Sequence, residues 1–278
     1  MIHIFADTTS SLTIPEYEQY GIKPIPLSII QGEVAKQELF EISYDEFYKS
    51  QRAGVKYTTT QPSPEIYQKC FKPIIEAGDE AIAILLSGEI SNTVNTANIA
   101  VETMGTDKIS IVDSKATGFS MISMALKAKE MASAGASRAE IVQALEDMRN
   151  RTRIYIIVES LRYLYEGGRL SGAQALIGSV IQIKPIIWFD NQGKLVTFEK
   201  ARTLKTAKSR TFELVQECIP LGVEKIALHY GDNREEALEY TAKLEEITGS
   251  TVPVIQISPV LGAHVGPDIL GVVVITKQ

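Results

Sequence analysis

The chain has 278 residues, 45% of them hydrophobic and 22% charged, enough for two modest domains that each bury a core, and no compositional bias points to disorder or a fibre. Its net charge of -6 comes from acids and bases mixed along the whole length, so no basic run could track a phosphate backbone and nucleic acid is not expected as a partner. No uncharged apolar run approaches the roughly 20 residues that span a bilayer, and the opening MIHIFADTTSSL lacks the basic and apolar regions of a secretion signal; a cytoplasmic protein with only peripheral membrane contact is expected.

Residues 2–6 read as a strand, after which Thr13, Pro15 and Glu16 compose a helix start and Gly21 a stop. A second strand is expected over 25–30. Ser43 with Glu46 opens a helix that Gly54 ends, and 57–64 reads as a hydroxyl-rich loop punctuated by proline. Ser63-Pro64 starts a helix toward Gly78, 81–86 is a buried strand, Ser91 caps a helix to about Met104, and 109–112 is another strand. This alternation predicts a parallel sheet. Amphipathic helices follow over 119–134 and 138–150.

From Arg153 the pattern changes to strands over 154–158, 184–189, 195–201, 226–229, 254–257 and 271–276, with Asp190-Asn191-Gln192-Gly193 a hairpin turn. The expected architecture is therefore a two-domain α/β protein. Residues 1–150 carry a parallel sheet and residues 151–278 a mixed or antiparallel one. Cys70 and Cys218 lie far apart on helical stretches and read as reduced core residues.

Ligands of parallel α/β sheets lie beyond the carboxyl ends of strands, where helix N-termini offer unbonded N–H groups and partial positive charge. Two loops fit, TTTQPSP with Thr59, Thr60 and Ser63, and SGEISNT with Ser91. Read alone, Ser63 and Ser91 are N-caps, each contributing about 1 kcal/mol. In LRYLYEGGRL, Gly167 and Gly168 turn the backbone just before Arg169, whose guanidinium can bind a carboxylate bidentately; the plainer alternative is a surface arginine after a helix C-cap. His264 sits in GAHVGP, read as a loop between strands whose flanking glycines imply close backbone approach.

Taken in order, ADTTSSL, TTTQPSP, SGEISNT, IVDS, LRYLYEGGRLSG, IKPII and GAHVGPDILG resemble the DegV family along almost the whole chain. The resemblance implies a two-domain α/β fold with a long-chain fatty acid between the domains, no cofactor or metal, and presentation of the carboxylate to a separate fatty acid kinase catalytic subunit. It implies that Thr59, Ser91, Arg169 and His264 hold the carboxylate, with Thr60 and Ser63 supporting. Asn92 stands where the family often has glycine and Thr60 where it usually has serine, and neither change removes a donor.

Residues 171–183 form an uncharged, largely apolar stretch directly after Arg169, and Leu176, Ile177, Val180 and Ile181 are the expected contacts for the acyl tail; packing between the domains is the alternative. This stretch is also expected to open for ligand entry and to touch a membrane surface transiently. The rival function is a serine-type hydrolase using Ser91 and His264, with Asp7, Asp113 or Asp232 as orienter. The chain lacks G-x-S-x-G, a P-loop, H-E-x-x-H and C-x-x-C, the usual signatures of hydrolase, nucleotide and metal sites.

Overall fold

A computed structural model describes residues 1–170 and 183–278. The chain divides into two compact units, Met1–Ser43 with Thr59–Asn150, and Tyr44–Thr58 with Arg151–Gln278. The division is discontinuous. Residues 44–58, which the sequence reading kept in the N-terminal domain, group with the C-terminal unit.

The first unit opens with β1 (Ile2–Asp7), a 3-10 turn (Thr8–Ser10) and α1 (Ile14–Tyr20). Thr13 and Glu16 form the expected capping box, and Gly21 ends α1 in the left-handed region at φ 62°. The single strand expected over 25–30 is in fact two, β2 (Lys23–Ile25) and β3 (Ser28–Gln31). Pro24 and Pro26 interrupt the N–H ladder, so β2 pairs parallel to β1 while β3 turns away to pair with β4 (Val34–Gln37). After α2 (Tyr44–Arg52) in the other unit, the chain returns through β5 (Thr58–Thr60), a short strand where a loop was expected.

The order then runs α3 (Pro64–Glu76), β6 (Glu80–Leu85), α4 (Thr93–Met104), β7 (Ile109–Asp113), α5 (Phe119–Ser133) and α6 (Arg138–Asn150). The main sheet has the order β2-β1-β6-β7, all parallel, and a small sheet has the order β4-β3-β5. Alternating side chains sort the core. Phe5, Ala83 and Leu85 pack with Tyr67, Phe71 and Ala97 of α3 and α4, whereas Ile4, Ile82 and Ile84, also fully buried, face the side covered by α5 and α6. Since β2 flanks β1 on one side and β6 on the other, the strand order reverses between β1 and β6, where such sheets take their ligands.

The second unit contains α2 and continues with β8 (Thr152–Val158), α7 (Arg162–Glu166), β9 (Ile186–Phe189), β10 (Leu195–Glu199) and α8 (Leu204–Cys218). It finishes with β11 (Val223–Tyr230), α9 (Arg234–Thr248), β12 (Val254–Gln256), α10 (Pro259–Val265) and β13 (Ile269–Thr276). Its six strands have the order β10-β9-β8-β13-β11-β12. All neighbours are antiparallel except β11 and β12, which makes the sheet mixed, as the sequence suggests. Asp190 closes the β9–β10 hairpin by accepting from Gln192 and Lys194 N–H, with Gly193 at φ 91°.

Leu214, Val215, Leu244 and Val274 are among the residues of its two buried clusters. The buried hydroxyls of Thr211 and Thr241 return to the carbonyls of Ala207 and Ala237, four residues back on α8 and α9. Cys218 is buried on α8 and Cys70 half-buried on α3, both as free thiols. Among the described residues, no helix is long and apolar enough to cross a membrane, and no group of three or more His, Cys, Asp or Glu could hold a metal.

Candidate functional site

In the first unit, the carboxyl ends of β1 and β6 deliver two of the anticipated side chains to one edge of the sheet. Ser91 lies in the loop that follows β6. Its hydroxyl is 2.7 Å from that of Thr93, and its N–H donates to the Ser87 carbonyl at 3.2 Å. It does not cap α4 as expected; Asn92 holds the N-cap position, without a side-chain cap bond, and leaves the half-buried Ser91 hydroxyl outside the helix.

Asp7 ends β1 and is completely buried. One carboxylate oxygen accepts from Thr9 N–H at 2.9 Å and Thr9 Oγ1 at 2.6 Å, and the other accepts from Leu86 N–H at 2.7 Å. Burial pushes its pKa up to about 6 against the pull of these donors. Asp113, ending β7, accepts from Lys115 N–H at 2.8 Å and from Gly88 N–H at 3.3 Å. The acids that end β1 and β7, the two strands flanking β6, thus both bind backbone of the Leu86–Ser91 turn.

Thr59 and Thr60 are half-buried on β5, and the Thr60 hydroxyl donates to the Gln61 carbonyl at 3.3 Å. Ser63 occupies the N-cap position of α3 with extended backbone, φ -72° and ψ 161°, followed by Pro64 in the first turn. Its exposed hydroxyl bonds the Glu65 carboxylate, which holds that acid below its ordinary range, instead of capping a helix N–H.

In the second unit Arg169 and His264 meet at Gly167. Helix α7 ends in the pair of bonds of a Schellman motif, Gly168 N–H to the Tyr165 carbonyl at 3.1 Å and Arg169 N–H to the Leu164 carbonyl at 3.1 Å, with Gly168 left-handed at φ 67°. The Arg169 guanidinium folds back to donate to the Gly167 carbonyl. His264 corrects the sequence reading, because it stands in the last turn of helix α10 and not in a loop between strands. Its ring lies so close to Gly167 that a Cβ there would be 2.5 Å from Nδ1.

Glycines let α10 sit this deep. A Cβ on Gly262 would fall 2.7 Å from Tyr48 Oη and 2.8 Å from Phe47, and one on Gly266 would fall 2.6 Å from the Tyr163 ring. Burial, and then the Arg169 charge, depress the His264 pKa to about 4. Near neutral pH the imidazole is therefore uncharged and Arg169 is the cation of this pair.

Sequence reading misses what holds α10. Gln51 Nε2 donates to the Gly262 carbonyl at 2.8 Å, Tyr48 Oη donates to the Ile257 carbonyl at 3.0 Å, and Arg52 forks between Asp232 and Asp268. All three belong to α2, about 200 residues earlier, and no local motif signals that distance. The anticipated tail contacts Leu176, Ile177, Val180 and Ile181 lie outside the described residues.

Comparison with known proteins extends over this whole arrangement. The family model described as "Uncharacterised protein, DegV family" matches residues 1–277. Protein DegV of Bacillus subtilis strain 168 is 34% identical over 278 residues, 98% of this chain and 98% of its own. The crystal structure of DegV, a fatty acid binding protein from Bacillus subtilis, aligns with a TM-score of 0.89 at 32% identity, covering 99% of each chain. A DegV family protein from Thermus thermophilus, described for its fatty acid binding, gives a TM-score of 0.84 at 26% identity over 99% of each chain. Agreement in motif order, length and fold from end to end leads to one assignment: the chain belongs to the DegV family.

Proposed function

We propose that the protein binds a long-chain fatty acid, its carboxylate held by Thr59, Ser91, Arg169 and His264. The observation that carries this reading is the pairing of Arg169 with an uncharged His264 at Gly167. One fixed positive charge beside a neutral imidazole matches a single carboxylate, and the hydroxyls of Thr59 and Ser91 add donors. Burying that carboxylate without such donors would cost several kcal/mol. An acyl chain of ~14 methylenes at about 0.8 kcal/mol each adds roughly 11 kcal/mol of gross attraction before ordering costs. The tail supplies affinity and the polar residues supply orientation.

On this reading the protein is not itself an enzyme. It is cytoplasmic, exchanges fatty acid through transient contact with membrane surfaces, and presents the carboxylate to a separate fatty acid kinase catalytic subunit. The hydrolase alternative draws no support from the acids nominated as orienters. Asp7 accepts from Thr9 and Leu86, Asp113 from Gly88 and Lys115, and Asp232 binds Arg52. An imidazole depressed to about 4 is moreover a weak general base at neutral pH.

The test is mass spectrometry of lipid released from purified protein, followed by palmitate titration of variants. A long-chain fatty acid is expected in the extract. Ser91→Ala should weaken palmitate binding by about fivefold and Arg169→Ala by about ten- to a hundredfold, since hydrogen bonds to charged groups are worth roughly twice neutral ones. Lipid-free protein with unchanged affinity in both variants would overturn the reading. Turnover of an activated ester abolished by Ser91→Ala would favour the hydrolase.

A further inference from the structure

We propose that Asp7 is the positioning residue of the fatty acid head-group site, holding the Ser91 turn at the point where strand order reverses between β1 and β6. This rests on the reading of Ser91 as a carboxylate ligand. Asp7 touches no ligand itself and acts through the turn.

The geometry runs through two links. Asp7 ends β1, and its second carboxylate oxygen takes the Leu86 N–H, the first amide beyond β6, at 2.7 Å. Leu86 leads directly into Ser87, whose carbonyl accepts from both Ile90 and Ser91 N–H at 3.2 Å. The Asp7 carboxylate therefore sets the origin of the turn, and the turn sets the Ser91 backbone. Ser87 N–H to the Ala116 carbonyl at 3.0 Å and Gly88 N–H to Asp113 at 3.3 Å hold the far side.

A capping role alone does not account for this choice of side chain. The first carboxylate oxygen caps the 3-10 turn through Thr9 N–H, a task that Ser, Thr or Asn performs as well. An ionised carboxylate with no exposed surface opposes folding near neutral pH, because burial raises its pKa to about 6. What Asp adds over those neutral caps is a second acceptor directed at Leu86. Asn in its place can keep the Thr9 bonds, but it turns an N–H toward the Leu86 N–H and releases only the link to the serine turn.

The experiment is a double-mutant cycle between Asp7→Asn and Ser91→Ala, read by palmitate titration, with amide exchange measured on the ligand-free proteins. Asp7→Ser, which can also cap Thr9 but is too short to reach Leu86, runs through the same cycle should the Asn variant fold poorly. Asp7→Asn alone is expected to weaken palmitate binding by up to about fivefold, no more than the loss in Ser91→Ala, because it misplaces the one hydrogen bond that Ser91 donates. Exchange at Ile90 and Ser91 should rise by about tenfold or more, with Ser11 N–H on the 3-10 turn still protected. The double variant should bind no more weakly than Ser91→Ala, because a positioning residue acts through the group it positions.

Full additivity of the two losses would overturn the inference, as would unchanged palmitate affinity in Asp7→Asn while Ser91→Ala is weakened. Ser91→Ala with wild-type affinity would instead overturn the reading of Ser91, and the role of Asp7 with it.

Discussion

At the scale of single residues, Gly167 and Gly168 stand side by side with different tasks. Gly168 needs its left-handed backbone, φ 67°, and has open space where a Cβ would go, whereas Gly167 has ordinary helical backbone and no space, its Cβ position lying 2.5 Å from His264 Nδ1. Alanine separates the two. Gly168→Ala should lower stability by about 1 kcal/mol through backbone strain and leave palmitate affinity near wild type. Gly167→Ala should displace the imidazole and weaken palmitate binding by about tenfold, the loss of one hydrogen bond to a charged group, while overpacking lowers stability by about 1–3 kcal/mol. Paired thermal melts and titrations check both, and intact affinity in Gly167→Ala would remove His264 from the head-group set. The turn itself was legible, since two glycines just before Arg169 read as a sharp backbone turn or helix C-cap. The helix under His264 was not: Ser258-Pro259 is the same start signal as Ser63-Pro64, but Gly262 and Gly266 made the following residues look like loop. Those glycines serve contact with Tyr48 and Tyr163, information that only the tertiary structure holds.

Elements with period and caps of their own were legible to within a residue or two, as for α1, α3, α6 and β8. Errors fell where a neighbour decides the outcome. Thr58–Thr60 is a strand because β3 lies beside it, and the strand expected over 25–30 divides because its halves join different sheets. Helix α2 is the largest such case, legible as a helix from Ser43, Glu46 and Gly54 but not as part of the second unit. Its Phe47 and Tyr48 are almost wholly buried, with ring centroids 5.0 Å apart, and Gln51 and Arg52 bind α10 and the ends of β11 and β13. Losing even one buried aromatic costs about 3–5 kcal/mol, against a whole-domain stability of roughly 5–15 kcal/mol. A fragment of residues 151–278 should therefore show no cooperative thermal transition, and fusing residues 44–58 to it through a flexible linker should restore one. Equal cooperativity in both fragments, measured by circular dichroism, would make α2 dispensable to the unit.

Over the whole molecule the number of units and the type of each sheet were legible, because parallel and mixed sheets impose different alternations of strand and helix. Their response to acid was not, since it depends on burial of single groups. In the first unit Asp7 has a folded pKa of about 6 against an ordinary 3.8, so between those values the folded state binds more protons than the unfolded chain and stability rises as pH falls through the window. In the second unit burial depresses His229 to about 4 from 6.5. There the unfolded chain binds more protons, and stability present above pH 6.5 is lost as pH falls toward 4. Shifts of this size correspond to about 3 kcal/mol each, with opposite signs; His264, depressed to about 4 but half-exposed, adds to the second in a smaller measure. The chain's one tryptophan, Trp188, lies on β9 and reports on the second unit, while amides of β1 and β6 report on the first. Going from pH 7 to pH 4.5, the denaturant midpoint followed by Trp188 fluorescence should move down, and exchange protection of the β1 and β6 amides, corrected for the intrinsic pH dependence of exchange, should hold or increase. Asp7→Asn should abolish the gain in the first unit and leave the Trp188 transition as sensitive to acid as before. A Trp188 midpoint that stays fixed between these pH values would mean that His229 does not remain neutral on folding, and the opposed response would fall with it.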